Sequence, residues 1–97
     1  MADVLRFDWD QANVSHIARH HVRHEEAEQA LANDPFDLAY DVVNGEERWT
    51  SLGHTSALRV LLVVWTLRFD EAVRVVTARE AKKPERTPYL KDRGFEP

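Results

Sequence analysis

Cysteine is absent from the 97 residues. That excludes disulfides, iron–sulfur clusters, thiolate zinc sites and thiol nucleophiles together. No run approaches the ~18 uninterrupted apolar residues that a membrane-spanning helix requires. The opening Met1-Ala2-Asp3-Val4 lacks the basic and then apolar character of an export signal. Internal repeats and low-complexity tracts are lacking as well. The expectation is a cytoplasmic protein with no membrane association. What is present, 43% apolar and 31% charged residues, suits a single globular domain spanning residues 1–97. A chain of this size buries only roughly 60–65% of the surface it exposes when unfolded. Its stability is therefore modest, and a binding partner matters.

The formal charge of −4 hides an asymmetry between the two halves of the chain. Residues 1–45 hold three basic residues (Arg6, Arg19, Arg23) against nine acidic ones, whereas residues 46–97 hold ten basic against eight acidic. Late in the chain Arg79, Lys82, Lys83, Arg86, Lys91 and Arg93 are opposed only by Glu80, Glu85 and Asp92. Such a tract meets phosphate or an acidic protein, although a solvated helix face has the same appearance.

The residue pattern changes period once. Leu5 to Trp9 alternates briefly, as a short strand or strand-like arm does. Asp8 or Asp10 then caps a first helix reaching about His20, with Val14, Ile17, Ala18 and His21 at the spacing of one helical face. A second helix is predicted over residues 25–33, with acids in its first turn and an end before Asp34-Pro35. From Phe36 onward β-branched and aromatic residues gather in four runs, 36–43, 48–54, 58–67 and 72–78. The connections are too short for parallel crossovers, so the strands should form an antiparallel meander. Val60 to Trp65 is apolar without alternation. That strand is expected to be central and covered on both faces, by a C-terminal helix wrapping round or by a partner protein. The last segment, 85–93, contains Pro88, which allows at most a short or broken helix before Gly94. The fold class is α+β.

Two groups of residues carry chemistry. His16, His20 and His24 recur every fourth position, a ridge that one continuous helix offers to a metal ion. A change in apolar phase near His21-Val22 breaks that helix, so no metal or other cofactor is expected. The second group is projected by strands. Alternation places Arg48, Thr50, Leu52 and His54 on one face of their run, and Val73, Val75, Thr77 and Arg79 on one face of theirs. Arg48 and Arg79 thus become guanidinium forks, which hold two phosphate oxygens at once and stay charged at every relevant pH. Surface ion pairs with Glu46, Glu47 or Glu80 are the ordinary alternative. RNA cleavage without metal needs a base for the ribose 2′-hydroxyl, a cation for the phosphorane charge and an acid for the leaving oxygen.

In order and spacing the chain resembles a known family. Phe7-Asp8-Trp9-Asp10 with Asn13, Arg19-His20-His21-Val22, Glu25-Glu26-Ala27, Asp34-Pro35, Gly45-Glu46-Glu47-Arg48-Trp49, Leu61 to Thr66, Arg74 to Arg79, and then Glu85 and Tyr89 look like the BrnT toxins of bacterial type II toxin–antitoxin systems. The resemblance covers about residues 5–90. It implies a RelE-like fold with two N-terminal helices, a four-stranded antiparallel sheet with a possible short extra N-terminal strand, and a short C-terminal helix. It also implies a metal-independent endoribonuclease that inhibits translation by cutting RNA. A BrnA-like ribbon-helix-helix antitoxin would neutralise it in a heterotetramer that meets operator DNA only through the antitoxin. Family segments fall on Arg19 to Val22, on Glu47 and Arg48, on Thr77 to Arg79, and on Glu85 and Tyr89. In the reading these support, Glu47 or His20 is the base, Arg79 with Arg48 stabilises the pentacoordinate phosphate, and Tyr89 or His54 supplies a proton or stacks on a base. Lys82, Lys83 and Arg86, with His54, hold the substrate.

Two departures stand out. His21 occupies a position where the family usually has glycine, and the net charge is acidic for an RNA-binding protein. The competing class is a catalytically weak or inactive BrnT-like binding module acting within an antitoxin–operator complex.

Overall fold

A computed structural model describes residues 5–95. Helix α1 (Gln11–Ala18) starts at Asp10 through a reciprocal cap. The Asp10 carboxylate accepts the Asn13 N–H at 2.9 Å, and the Asn13 side-chain oxygen accepts the Asp10 N–H at 3.1 Å. The Asn13 amide also donates to the Val75 carbonyl at 2.8 Å, so the capping residue fastens the helix to the sheet. The helix ends earlier than its periodicity predicts because His21 turns the chain at φ 61°. A non-glycine residue there costs roughly 1–2 kcal/mol. Arg59 offsets this by donating to the His21 carbonyl at 2.8 Å and to Glu26 at 3.0 Å, tying the turn to helix α2 (His24–Ala32). Ala27, Ala30 and Leu31 form the buried face of α2.

The four strands β1 (Phe36–Val43), β2 (Glu46–His54), β3 (Val60–Leu67) and β4 (Val73–Glu80) form the expected antiparallel meander in the order β1-β2-β3-β4. Asn44 at φ 52° and Gly45 at φ 79° make the tight β1–β2 turn, whose positive dihedrals match the twist of the flanking strands. β3 is covered on both sides. Leu61 and Val63 pack with Ile17, Ala27 and Ala30 beneath the two N-terminal helices. Val60 and Leu62 pack with Leu52, Ala81 and Tyr89 on the opposite face, beneath helix α3 (Lys83–Asp92). The C-terminal helix is thus the second cover. It runs unbroken through Pro88 for ten residues, the short rather than the broken form of the helix expected there. Pro88 sits on the exposed side, where its missing N–H is no loss to the core. Gly94, at φ 81°, ends the helix. The possible N-terminal strand is reduced to one parallel bridge, Phe7 to Val73, along the outer edge of β4.

Simple alternation fails in β4. Pairing passes from Trp65↔Val75 to Val64↔Thr77, leaving Val76 as a bulge residue. A one-residue slip exchanges the faces of everything beyond it. Val73 and Val75 therefore lie in the core under α1 and α2, with Ala78 rejoining them. Arg79, opposite Leu62, lies on the α3 side and pairs with Glu85 of that helix, while Thr77, opposite Val64, meets His16 of α1 at the outer edge of the strand. The expectation that Val73, Val75, Thr77 and Arg79 share one face is overturned by this bulge.

Helix α2 lies directly on the backbone of β2. A Cβ built at Gly53 would sit 1.8 Å from the Ala30 carbonyl oxygen. Backbone on both sides leaves nothing flexible to yield, so Gly53→Ala should destabilise by on the order of 3 kcal/mol, the upper part of the overpacking range. Urea unfolding at equal slope checks this. A midpoint unchanged from wild type would show that α2 does not rest on this strand.

Candidate active site

The bulge at Val76 brings Arg79 to the same side of the sheet as His54, and α3 crosses over both. Glu85, in the first turn of α3, holds Arg79 with two parallel bonds. Nη1 donates to Oε1 and Nη2 to Oε2, each at 2.9 Å. This is the bidentate geometry in which guanidinium and carboxylate bind most strongly. The Lys82 N–H also donates to Oε1 at 2.8 Å, so the same carboxylate caps the helix. The Arg79 fork and the Lys82 N–H together hold the Glu85 carboxyl down to about 2. It is therefore ionised throughout the neutral range and is neither a general acid nor an effective general base.

One helical turn further, Tyr89 reaches the other strand. Its hydroxyl lies 2.9 Å from His54 Nδ1 and 3.2 Å from the Asp34 carbonyl. The ring is 4% exposed, and burial raises the phenol above its ordinary value, keeping it protonated. Arg93 stacks its guanidinium 4.1 Å from the Tyr89 ring centroid and donates from Nε to the Asp34 carbonyl at 3.0 Å. Phe95 meets the His54 ring edge-on at 5.7 Å. His54 is thus fixed through its backbone carbonyl by Asn33, through Nδ1 by Tyr89 and on a ring edge by Phe95.

The remaining expected residues divide. Lys82 and Lys83 are exposed at the start of α3, the helix whose Glu85 holds Arg79, and Arg86 donates to the Ala81 carbonyl at 3.3 Å. Arg48 shares this face but stands four pairing rows away, about 13 Å along the strands and about 10 Å across them, and it pairs with Glu46 at 3.0 Å. Glu47 points to the opposite face and accepts the Tyr40 hydroxyl at 2.7 Å. Consecutive strand residues cannot share a face. His20 lies beyond the end of α1, its ring 5.7 Å from that of His16, whose Nε2 is 3.1 Å from Thr77 Oγ1. This places the histidine pair at the outer edge of β4. His24 starts α2 and packs on Trp9 at 5.6 Å, so the three histidines form no ridge. No group of three or more potential metal ligands occurs among the described residues.

The sequence reading did not give Glu85 a chemical role. Its signal was the four-residue spacing to Tyr89, which puts both on one face of α3. The anchoring by Arg93 and by the Asp34 carbonyl had no local signal, because both cross from the far end of α3 to the α2–β1 loop.

Fold and site together define a class: a small α+β protein whose basic face presents a charged fork and an oriented imidazole, groups suited to a phosphodiester. The family model described as ribonuclease toxin, BrnT, of type II toxin-antitoxin system matches residues 9–85, and the chain belongs to that family. Among curated proteins none matches the chain.

The Glu85 carboxyl falls from its ordinary 4.5 to about 2 on folding. It therefore stabilises the fold above the unfolded value, and this contribution disappears as pH drops towards 2. Glu85→Gln should lose about 1 kcal/mol at neutral pH, allowing for partial solvent screening. Its stability should then vary less than that of wild type between pH 5 and pH 2. Denaturant titrations at both ends of that range check this, and parallel curves would mean that Arg79 does not hold Glu85.

Proposed function

We propose that this BrnT family member cuts RNA on the face where Arg79, His54 and α3 meet. The family match over residues 9–85 carries the reading, and the chemistry of the face supports it. Arg79 has the charge and fork needed by a pentacoordinate phosphate, and Glu85 sets its orientation until a phosphate replaces the carboxylate. The Tyr89 proton lies on the Asp34 carbonyl, so His54 donates from Nδ1 to the phenol oxygen and keeps a lone pair on Nε2. Nε2 takes the ribose 2′-hydroxyl proton as the 2′-oxygen attacks phosphorus, and it returns that proton to the departing 5′-oxygen. The products are a 2′,3′-cyclic phosphate and a 5′-hydroxyl. Lys82, Lys83 and Arg86 hold neighbouring phosphates. Arg48, Glu47 and His20 take no step in this scheme.

No metal enters the scheme. The expected partner is a DNA-binding antitoxin of ribbon-helix-helix type, which forms a heterotetramer with the toxin in the cytoplasm and carries it to operator DNA. A second reading, that of a binding module without nuclease activity, is favoured by one observation. The Arg79 fork is already closed by Glu85, and a phosphate must compete with that carboxylate.

Arg79→Ala should lower the rate of RNA cleavage by on the order of 10²–10³, the usual cost of one transition-state charge contact, while the fold survives. Undiminished cleavage at equal protein concentration would remove Arg79 from the site. Wild-type protein that leaves RNA intact would establish the binding module. Cleavage in excess EDTA should proceed at the full rate, and activity abolished by chelation and restored by one divalent ion would replace the proton scheme with a metal one.

A further inference from the structure

The outer edge of the sheet is built differently on its two sides. The β4 edge is covered at its start by the N-terminal arm, where Val73 donates to the Arg6 carbonyl at 2.7 Å and accepts from the Asp8 N–H at 2.8 Å. The β1 edge has no neighbour among the described residues. Folded proteins usually guard such an edge with lysines, prolines or brevity. β1 has neither lysine nor proline, runs for eight residues, and leaves Phe36 49%, Leu38 47%, Tyr40 55% and Val42 52% exposed.

These four side chains are placed to receive an extended chain. Phe36 and Leu38 border a cleft completed by Pro84, Pro88, Tyr89 and Arg93 on the α3 side of the sheet. Tyr40 lies on the opposite side, where its ring is 5.6 Å from Trp49, itself stacked on Trp65 at 4.8 Å. An added strand would place successive side chains alternately into the cleft and against the aromatic row, as in β-augmentation.

Charge selects the occupant. No lysine or arginine occurs between Arg23 and Arg48, and β1 carries Asp37 and Asp41. Neither aspartate joins an ion pair among the described residues. Arg48, opposite Asp41 in the register, turns to Glu46 instead. A second copy of this chain would set acids against acids across the edge, which opposes pairing. A segment with an apolar stretch and a basic residue at each end would match the edge in both respects.

We propose that the β1 edge captures such a segment, apolar and basic-flanked, from the antitoxin. This rests on the toxin reading above. A chain seated there fills the cleft beside Tyr89 and Glu85 and screens the face proposed to cut RNA. The bulge at Leu38, and the Asp41 carboxylate that accepts the Val42 N–H at 2.8 Å, guard the edge against indiscriminate pairing.

The test uses the full chain with the product of any ribbon-helix-helix reading frame that adjoins its gene. Amide hydrogen exchange of the complex should show new protection over residues 36–43. Val42→Lys, on the side of the sheet away from Arg79, should weaken antitoxin binding by at least about 100-fold and leave cleavage of RNA by the free protein unchanged. Binding should also strengthen at low salt. If wild-type protein cuts RNA and is bound with protection elsewhere and equal affinity for the variant, the edge assignment is overturned and the toxin reading stands. If it neither cuts RNA nor binds that product, the toxin reading falls and this proposal with it. Self-association of wild type with the same protected residues would assign the edge to a second copy.

Discussion

The arrangement of the described residues turns on one unpaired residue, Val76, in the last strand. A regular β4 would carry Arg79 under the N-terminal helices with Val73 and Val75, where a guanidinium would displace apolar packing and lack solvent. The bulge lets the first half of the strand fill one core and the second half project charge from the other face. It also gives Ala78, a small side chain, to the crowded helix side opposite Val63. Packing and chemistry are separated along one strand without a break in the sheet.

Helix α3 then does two things with one face. Tyr89 and the apolar residues around it cover the second side of β3. Glu85 and Tyr89, one turn apart, reach β4 and β2 respectively and hold Arg79 and His54. The site is therefore coupled to the fold: the contacts that position the charged groups are also those that fasten the helix. That accounts for a helix that continues through Pro88 despite the lost N–H, since its anchors lie on both sides of the proline.

Much of this was legible in the chain. The antiparallel meander followed from short connections between β-rich runs, and the need for a cover on both faces of residues 60–65 followed from their unbroken apolar character. A cap at Asp8 or Asp10, of which the structure uses Asp10, and Gly94 as a stop were likewise readable, because capping chemistry is local. The left-handed conformation of His21 was foreshadowed by its standing where glycine is usual. The pairing of Glu47 and Arg48 as neighbours in sequence was misleading in space, since adjacent residues of a strand face opposite ways and Arg48 lies four pairing rows from Arg79.

The sequence by itself determined the order of elements, the double cover of residues 60–65 and the family, because periodicity, caps and turns depend on neighbours a few residues apart. Tertiary structure decided which charged groups meet. The register slip at Val76, the hold of Tyr89 and Asn33 on His54, and the uncovered edge of β1 arise between segments distant in sequence, and the clamp of Glu85 on Arg79, six residues apart, joins a strand to the helix that follows it. In each case the determining quantity is a pairing register or a packing distance between elements, and no local pattern encodes it.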